Sequence, residues 1–208
     1  MPWLANAMTE NKRHIAVDFD GVLFDHVPWV LRTFRDQHGI DLEGEGFQYW
    51  DYFQYRAVEK AELTVGVVRD LLRTLETDPT IHKSPLRDAY ARDVMQAWQD
   101  AGHKVDVVTA RNPDSKTVTL QFLNRNRVPF DNLQMGARLK TGFDLLIDDS
   151  PHNVLMAAAA GGRALLMDHT YNRDVPCERN PTRVHDWNDV EKQAKKWMRR
   201  RKKSEARP

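Results

Sequence analysis

Three aspartates, at positions 18, 20 and 25, cluster around the end of the apolar run in IAVDFDGVLFD. Two carboxylates separated by one residue repel each other unless something positive lies between them, and a hard cation with oxygen ligands meets that need. A second acidic pair, Asp148 and Asp149, ends the run FDLLIDD. Thr109 ends KVDVVT, and Lys140 lies in the loop before the last of these runs. Carboxylates around a cation, with a hydroxyl and an ammonium at hand, can do metal-assisted nucleophilic and acid–base work. They can do it only if the fold brings them together.

The elements that would do so are legible as apolar runs at 14–18, 104–109, 143–148 and 163–167, each short enough for a buried strand. Helical periodicity lies between them. SPLRDAYARDVMQAWQDAG predicts a helix with Ser84 as N-cap, Pro85 at its first position and Gly102 as its stop. Further helices are expected over about 116–126 and 152–160, the latter stopped by Gly161-Gly162. Alternating strands and helices predict an α/β fold, a doubly wound parallel sheet with its chemistry at the carboxyl ends of the strands. Residues 26–83 break the rhythm, with helical patterns near 27–38 and 63–76 and no strand-like run, and so read as a helical insertion after the first strand. Asp25 is expected to cap the first of those helices.

Composition bounds the rest. With 41% hydrophobic and 29% charged residues the chain is of globular type. The start MPWLANAMTENKR lacks the apolar core of a secretory signal, and no run approaches the length of a membrane span. Cys177 is the single cysteine, which excludes an internal disulfide and fits a reducing, cytoplasmic compartment. The net charge of +1 hides an asymmetry: residues 192–208 hold nine basic residues and one acidic, leaving 22 against 29, or −7, elsewhere.

The order DxDGV, a strand ending in Thr109, then Lys140, then a strand ending in Asp148-Asp149 is similar to the haloacid dehalogenase superfamily of phosphohydrolases. The resemblance implies a Rossmann-like core over 1–25 and 84–191 and a small helical cap over 26–83, followed by a basic tail over 192–208. It also implies hydrolysis of a phosphate monoester. Asp18 would attack phosphorus to give an aspartyl-phosphate, and Asp20 would protonate the leaving alkoxide and later activate water. A neighbouring carboxylate that raised the pKa of Asp20 would serve that role. Mg2+ would be held by Asp18, Asp149 or Asp148 and the Asp20 carbonyl, while Thr109 and Lys140 would bind phosphoryl oxygens. Arg111, just past Thr109, is either a further phosphate ligand or a solvent arginine. LLIDDSPHN, MDHTYNRDVP and RVHDW narrow the resemblance to the 5'(3')-deoxyribonucleotidase group, beside which the interval from Lys140 to Asp148 is a little short.

Within the insertion, FQYWDYFQY carries six aromatics in nine positions. Flat rings suit a nucleobase, and Trp50, then Tyr49, are the base-binding candidates, with the remaining rings free to build the cap's own core. The expected substrate is a (deoxy)nucleoside monophosphate. A rival reading keeps the chemistry and moves it to nucleic-acid ends guided by the basic tail, although such a tail is more often a solvated terminus. Another small phosphometabolite is a further alternative, and a binding module with a vestigial catalytic set is the weakest.

Overall fold

The structure, a computed structural model, describes residues 12–48 and 51–205. Among them β1 (His14–Val17), β2 (Lys104–Val108), β3 (Asn132–Gln134), β4 (Leu145–Asp148), β5 (Arg163–Met167) and β6 (Thr182–Val184) form one parallel sheet. The order is β3-β2-β1-β4-β5-β6, so the winding reverses between β1 and β4. Ligand crevices of open parallel sheets lie at such a reversal, outside the carboxyl ends of the strands. Val17 pairs with Ile147, and the Asp18 N–H extends the ladder to the Ile147 carbonyl at 2.9 Å. The two acidic motifs therefore leave the sheet side by side.

Side-chain alternation divides the core. Ile15 and Val17 face a cluster containing Trp98, Phe122 and Trp187, from α4 (Tyr90–Asp100), α5 (Lys116–Arg125) and α7 (Trp187–Glu205). Ala16, Leu146 and Leu166 face Val154 and Ala157 of α6 (Pro151–Ala159). Burial on both faces explains why these strands read as unbroken apolar runs.

The insertion contains α1 (Val27–His38), α2 (Arg56–Lys60) and α3 (Val65–Thr77), with no strand among its described residues. Val30 and Phe34 of α1 meet Val68, Leu71 and Leu75 of α3 in a separate apolar cluster that also takes in Leu42, Phe47 and Tyr55. The Thr64 hydroxyl caps α3 by accepting from Val67 N–H. The end of α3 is tied to the loop after β2: Arg73 pairs with Asp114 at 2.5 Å, and the Glu76 carboxylate accepts from Asn112 N–H at 2.8 Å.

Three local expectations are corrected. Helix α4 begins at Tyr90, not at Ser84-Pro85. The Asp88 carboxylate accepts from Tyr90 N–H at 2.9 Å and from Trp187 N–H at 3.0 Å, while Arg87 N–H is spent on the Leu23 carbonyl. Asp88 thus anchors two helix starts, and the chain before it stays irregular. Asp25 does not cap α1: His26 occupies the N-cap position, no side chain caps the helix, and proline lies in its first turn, where it removes a donor. Two strands, β3 and β6, lie outside the predicted runs. Both are three-residue edge strands, and Asn132 and Gln134 of β3 use their amides to bind the buried Asp106 carboxylate on β2 at 2.8 and 2.9 Å.

Candidate active site

Asp18 follows β1 directly and is buried. Its Oδ1 accepts from Phe19 N–H and from Lys140 Nζ, each at 2.7 Å. The chain then turns tightly: Gly21 N–H donates to the Phe24 carbonyl, and both Leu23 and Phe24 N–H donate to the Phe19 carbonyl. Gly21 is required twice. Its φ of +73° lies in the left-handed region, and a Cβ there would fall 2.1 Å from Asp149 Oδ2.

On β4, the Asp148 carboxylate accepts from three protein donors. Ser150 N–H reaches Oδ1 at 2.8 Å, and Lys140 Nζ and Asn153 Nδ2 reach Oδ2 at 2.8 and 3.1 Å. Asp149 accepts from the Tyr171 hydroxyl at 2.5 Å. Asp18, Asp148 and Asp149 each offer an oxygen to a group within 4.8 Å of one another. Burial, then the Asp148 charge, pushes the Asp18 pKa up, and Lys140 offsets this only in part. Burial and Asp148 push Asp149 up to about 7, against the Tyr171 hydrogen bond. For Lys140, burial opposes the charged form, but Asp148 and Asp18 overcome it and raise the pKa, so the ammonium persists. Three buried carboxylates share one buried ammonium. That imbalance, with hard oxygen donors only, fits a divalent cation of the magnesium type.

Asp20 departs from expectation. Arg111, itself buried, binds both its carboxylate oxygens at 2.7 Å, stacks over Phe19 and donates to the Glu76 carbonyl on α3 at 3.4 Å. Burial works to raise the Asp20 pKa, but the Arg111 charge and hydrogen bonds outweigh it and hold the carboxyl below its usual range. The neighbouring-carboxylate effect is overridden. Arg111 is no solvent arginine, and its partner in this structure is Asp20. Thr109 is buried at the end of β2, where its Oγ1 accepts from Arg111 N–H at 3.2 Å, leaving the hydroxyl proton free to donate elsewhere.

Asp18, Lys140, Asp148 and Asp149 are thus brought together, with Asp20, Arg111 and Thr109 beside them. Trp50 and Tyr49 lie outside the described residues. Of the other rings in that stretch, Phe47 and Tyr55 are buried in the insertion's cluster and Phe53 is exposed. Tyr52 stacks on Phe34 with ring centroids 5.4 Å apart. Burial raises its pKa, helped by Tyr55 and by the charges of Asp20 and Asp149. Two residues escaped the sequence reading besides Tyr52. The His26 Nδ1 is buried without a hydrogen-bond partner in the structure, and burial lowers its pKa despite Asp20 and Asp25. Tyr171 was legible only as one letter of MDHTYNRDVP.

Comparisons with known proteins bear on the family and the fold. The family model described as "5' nucleotidase, deoxy (Pyrimidine), cytosolic type C protein" matches residues 12–200. A nucleotidase of Clostridium acetobutylicum is 32% identical over 90 residues, covering 40% of this chain and 46% of that one, so the aligned part spans less than half of that relative. A Chlorobaculum tepidum protein named as a 5'(3')-deoxyribonucleotidase is 23% identical over 206 residues, 90% of this chain and 94% of that one. The crystal structure of a haloacid dehalogenase-type hydrolase from Entamoeba histolytica superposes with a TM-score of 0.61 at 15% identity, covering 85% of this chain and 94% of that one. No helix among the described residues is long and apolar enough to cross a membrane.

Proposed function

The chain belongs to the 5' nucleotidase, deoxy (Pyrimidine), cytosolic type C family of phosphoric monoester hydrolases, and from that premise we propose that it is a magnesium-dependent, cytoplasmic 5'-nucleotidase acting on (deoxy)nucleoside monophosphates through an aspartyl-phosphate on Asp18. The observation that carries the reading is the meeting of Asp18, Asp148, Asp149 and Lys140 at the sheet's reversal point, with Asp20 held apart on Arg111.

In this reading Asp18 attacks the phosphorus, and the ester oxygen departs with a proton from Asp20. Water, deprotonated by Asp20, then cleaves the acyl phosphate and restores the Asp18 carboxylate. Asp18, Asp149 and the Asp20 carbonyl would hold Mg2+, whose charge lets a phosphate dianion approach a carboxylate nucleophile. Asp149 is preferred to Asp148 because the Asp148 oxygens already accept from Ser150, Lys140 and Asn153. Lys140 fixes Asp18 and supplies permanent positive charge, and the Thr109 hydroxyl donates to a phosphoryl oxygen. Arg111 has two tasks. It holds Asp20 in the resting enzyme, and an arriving phosphate competes for the guanidinium and frees Asp20 to carry its proton.

Residues 26–83 act as the cap, docked through Arg73, Glu76 and Arg111. Tyr52 and His26 line the side where the leaving nucleoside would lie, and Trp50 and Tyr49 remain the base-stacking candidates. The deciding experiment is phosphate release from a panel containing 5'- and 3'-nucleotides, ribose 5-phosphate and 5'-phosphorylated oligonucleotides, with and without Mg2+. Preference for mononucleotides supports the reading. Preference for oligonucleotides, lost steeply with salt, replaces it with an end-processing phosphatase.

A further inference from the structure

One four-residue segment, His169 to Asn172 after β5, touches the turn after Asp20, the insertion and Asp149. His169 Nε2–H donates to the Gly21 carbonyl at 2.7 Å, in the turn that follows Asp20. The Thr170 hydroxyl donates to the Phe47 carbonyl in the insertion at 2.7 Å. The Asn172 side-chain amide reaches the Asp149 and Met167 carbonyls, each at 2.9 Å. Arg183 of β6 clamps the segment by donating to the Asn172 side chain and carbonyl at 2.8 and 2.9 Å.

Tyr171 joins these contacts into one. Its ring belongs to the insertion's apolar cluster, edge-on to Phe47 at 5.8 Å, and lies flat against His169 at 4.7 Å. Its hydroxyl, at the other end of a rigid side chain, donates to Asp149 Oδ2. Gly21 lies against the same oxygen, with no room for a side chain between them. The Asp149 carboxylate is boxed between backbone and phenol. A phenol has two rotatable angles, so anything that moves the ring moves the hydroxyl.

We infer that Tyr171 is a positioning residue that sets the Asp149 carboxylate for a divalent cation and makes cation binding depend on whether the cap is seated on the 169–172 segment. The inference rests on the proposed metal role of Asp149, and it extends that role to a side chain anchored in the cap. Outer partners of metal-binding carboxylates typically change metal affinity by about tenfold to a hundredfold when removed. A ring that merely filled the cap would change stability and leave metal affinity alone.

The test uses the full chain and reads cation binding directly, by the loss of the free Mn2+ signal in electron paramagnetic resonance, beside thermal melts without metal. Tyr171→Phe keeps the ring and removes the donor. Thr170→Val loosens the cap tie and touches none of the Asp149 contacts. The expected result is Mn2+ binding weakened about tenfold or more in Tyr171→Phe and about threefold in Thr170→Val, with a double variant weaker by less than the product of the two. Wild-type affinity in Tyr171→Phe, or in Thr170→Val should the first variant fold poorly, overturns the inference and leaves the metal reading standing. Wild-type protein that binds no Mn2+, or an Asp149→Asn variant that binds it unchanged, overturns both.

Discussion

At the strand ends, Asp18 and Asp148 share one buried ammonium and Asp149 accepts from the Tyr171 hydroxyl; in the insertion, Phe34, Phe47, Tyr52 and Tyr55 are held by one another. The first arrangement concentrates like charge, which costs folding free energy and becomes useful only with a cation and a phosphate. The second is an ordinary aromatic core, with the Tyr52 ring stacked on Phe34. The proposed reaction chemistry and the proposed substrate choice thus fall to regions with different physics. Variants on the two sides should fail differently.

The largest effect is expected at the strand ends. Asp18→Asn keeps the shape and removes the proposed nucleophile together with one proposed cation ligand, so turnover of any phosphate ester should fall by roughly a thousandfold or more. Comparable loss from a cap variant such as Tyr52→Phe would erase the distinction. Next comes Lys140→Met. With its ammonium gone, three buried carboxylates face each other uncompensated, and the metal-free protein should lose roughly 3–5 kcal/mol. Added Mg2+ should restore more stability to this variant than to wild type, as chemical denaturation with and without the ion would show. An equal Mg2+ effect on both would mean that the ammonium and the cation do not share the same acids.

On the cap side the effects are smaller and selective. Tyr52→Phe should change kcat/KM for a nucleotide about threefold to tenfold and leave that for an aryl phosphate within a factor of two, the size of effect expected where the phenol donates one hydrogen bond to the nucleoside. Equal change on both substrates would place Tyr52 in the chemistry. The smallest effect lies on neither side of the crevice. Burial would raise the Asp106 pKa, but hydrogen bonds from His14, Asn132 and Gln134 outweigh it and hold the carboxyl low. A group whose folded pKa is depressed stabilises above its unfolded value, and that stability is lost as pH falls through the folded value. The gap between wild type and Asp106→Asn, about 1–2 kcal/mol near pH 7, should therefore narrow under acid. Urea melts in neutral and acidic buffer would reveal a constant gap if the account of Asp106 is wrong.

The same division governs what the sequence could reveal. Buried parallel strands write themselves as apolar runs, and the polar residues that end or follow them stand out, so Asp18, Thr109 and the Asp148-Asp149 pair were legible one by one, with Lys140 in the loop before β4. What joins them was not. Arg111 and Asp20 are 91 positions apart and Tyr171 and Asp149 are 22 apart, and no local period marks either pair. Strand β3 stayed hidden because Asn132 and Gln134 are polar and serve Asp106 instead of an apolar face. The start of α4 was misplaced because Ser84-Pro85 is a good local signal, overruled by the long-range contact of Asp88 with Trp187.

The central claim is the covalent role of Asp18, and it is tested most directly by trapping the intermediate. Asp20→Asn removes the proposed base for water, while an activated aryl phosphate needs no proton on its leaving group, so phosphoenzyme should build up in this variant when Mg2+ is present. Quenching the mixture, reducing the acyl phosphate with borohydride and sequencing the peptides should find the modification at Asp18 and nowhere else. Aryl phosphate turned over by the same sample with Asp18 unmodified, or with the modification on another carboxylate, would contradict the account.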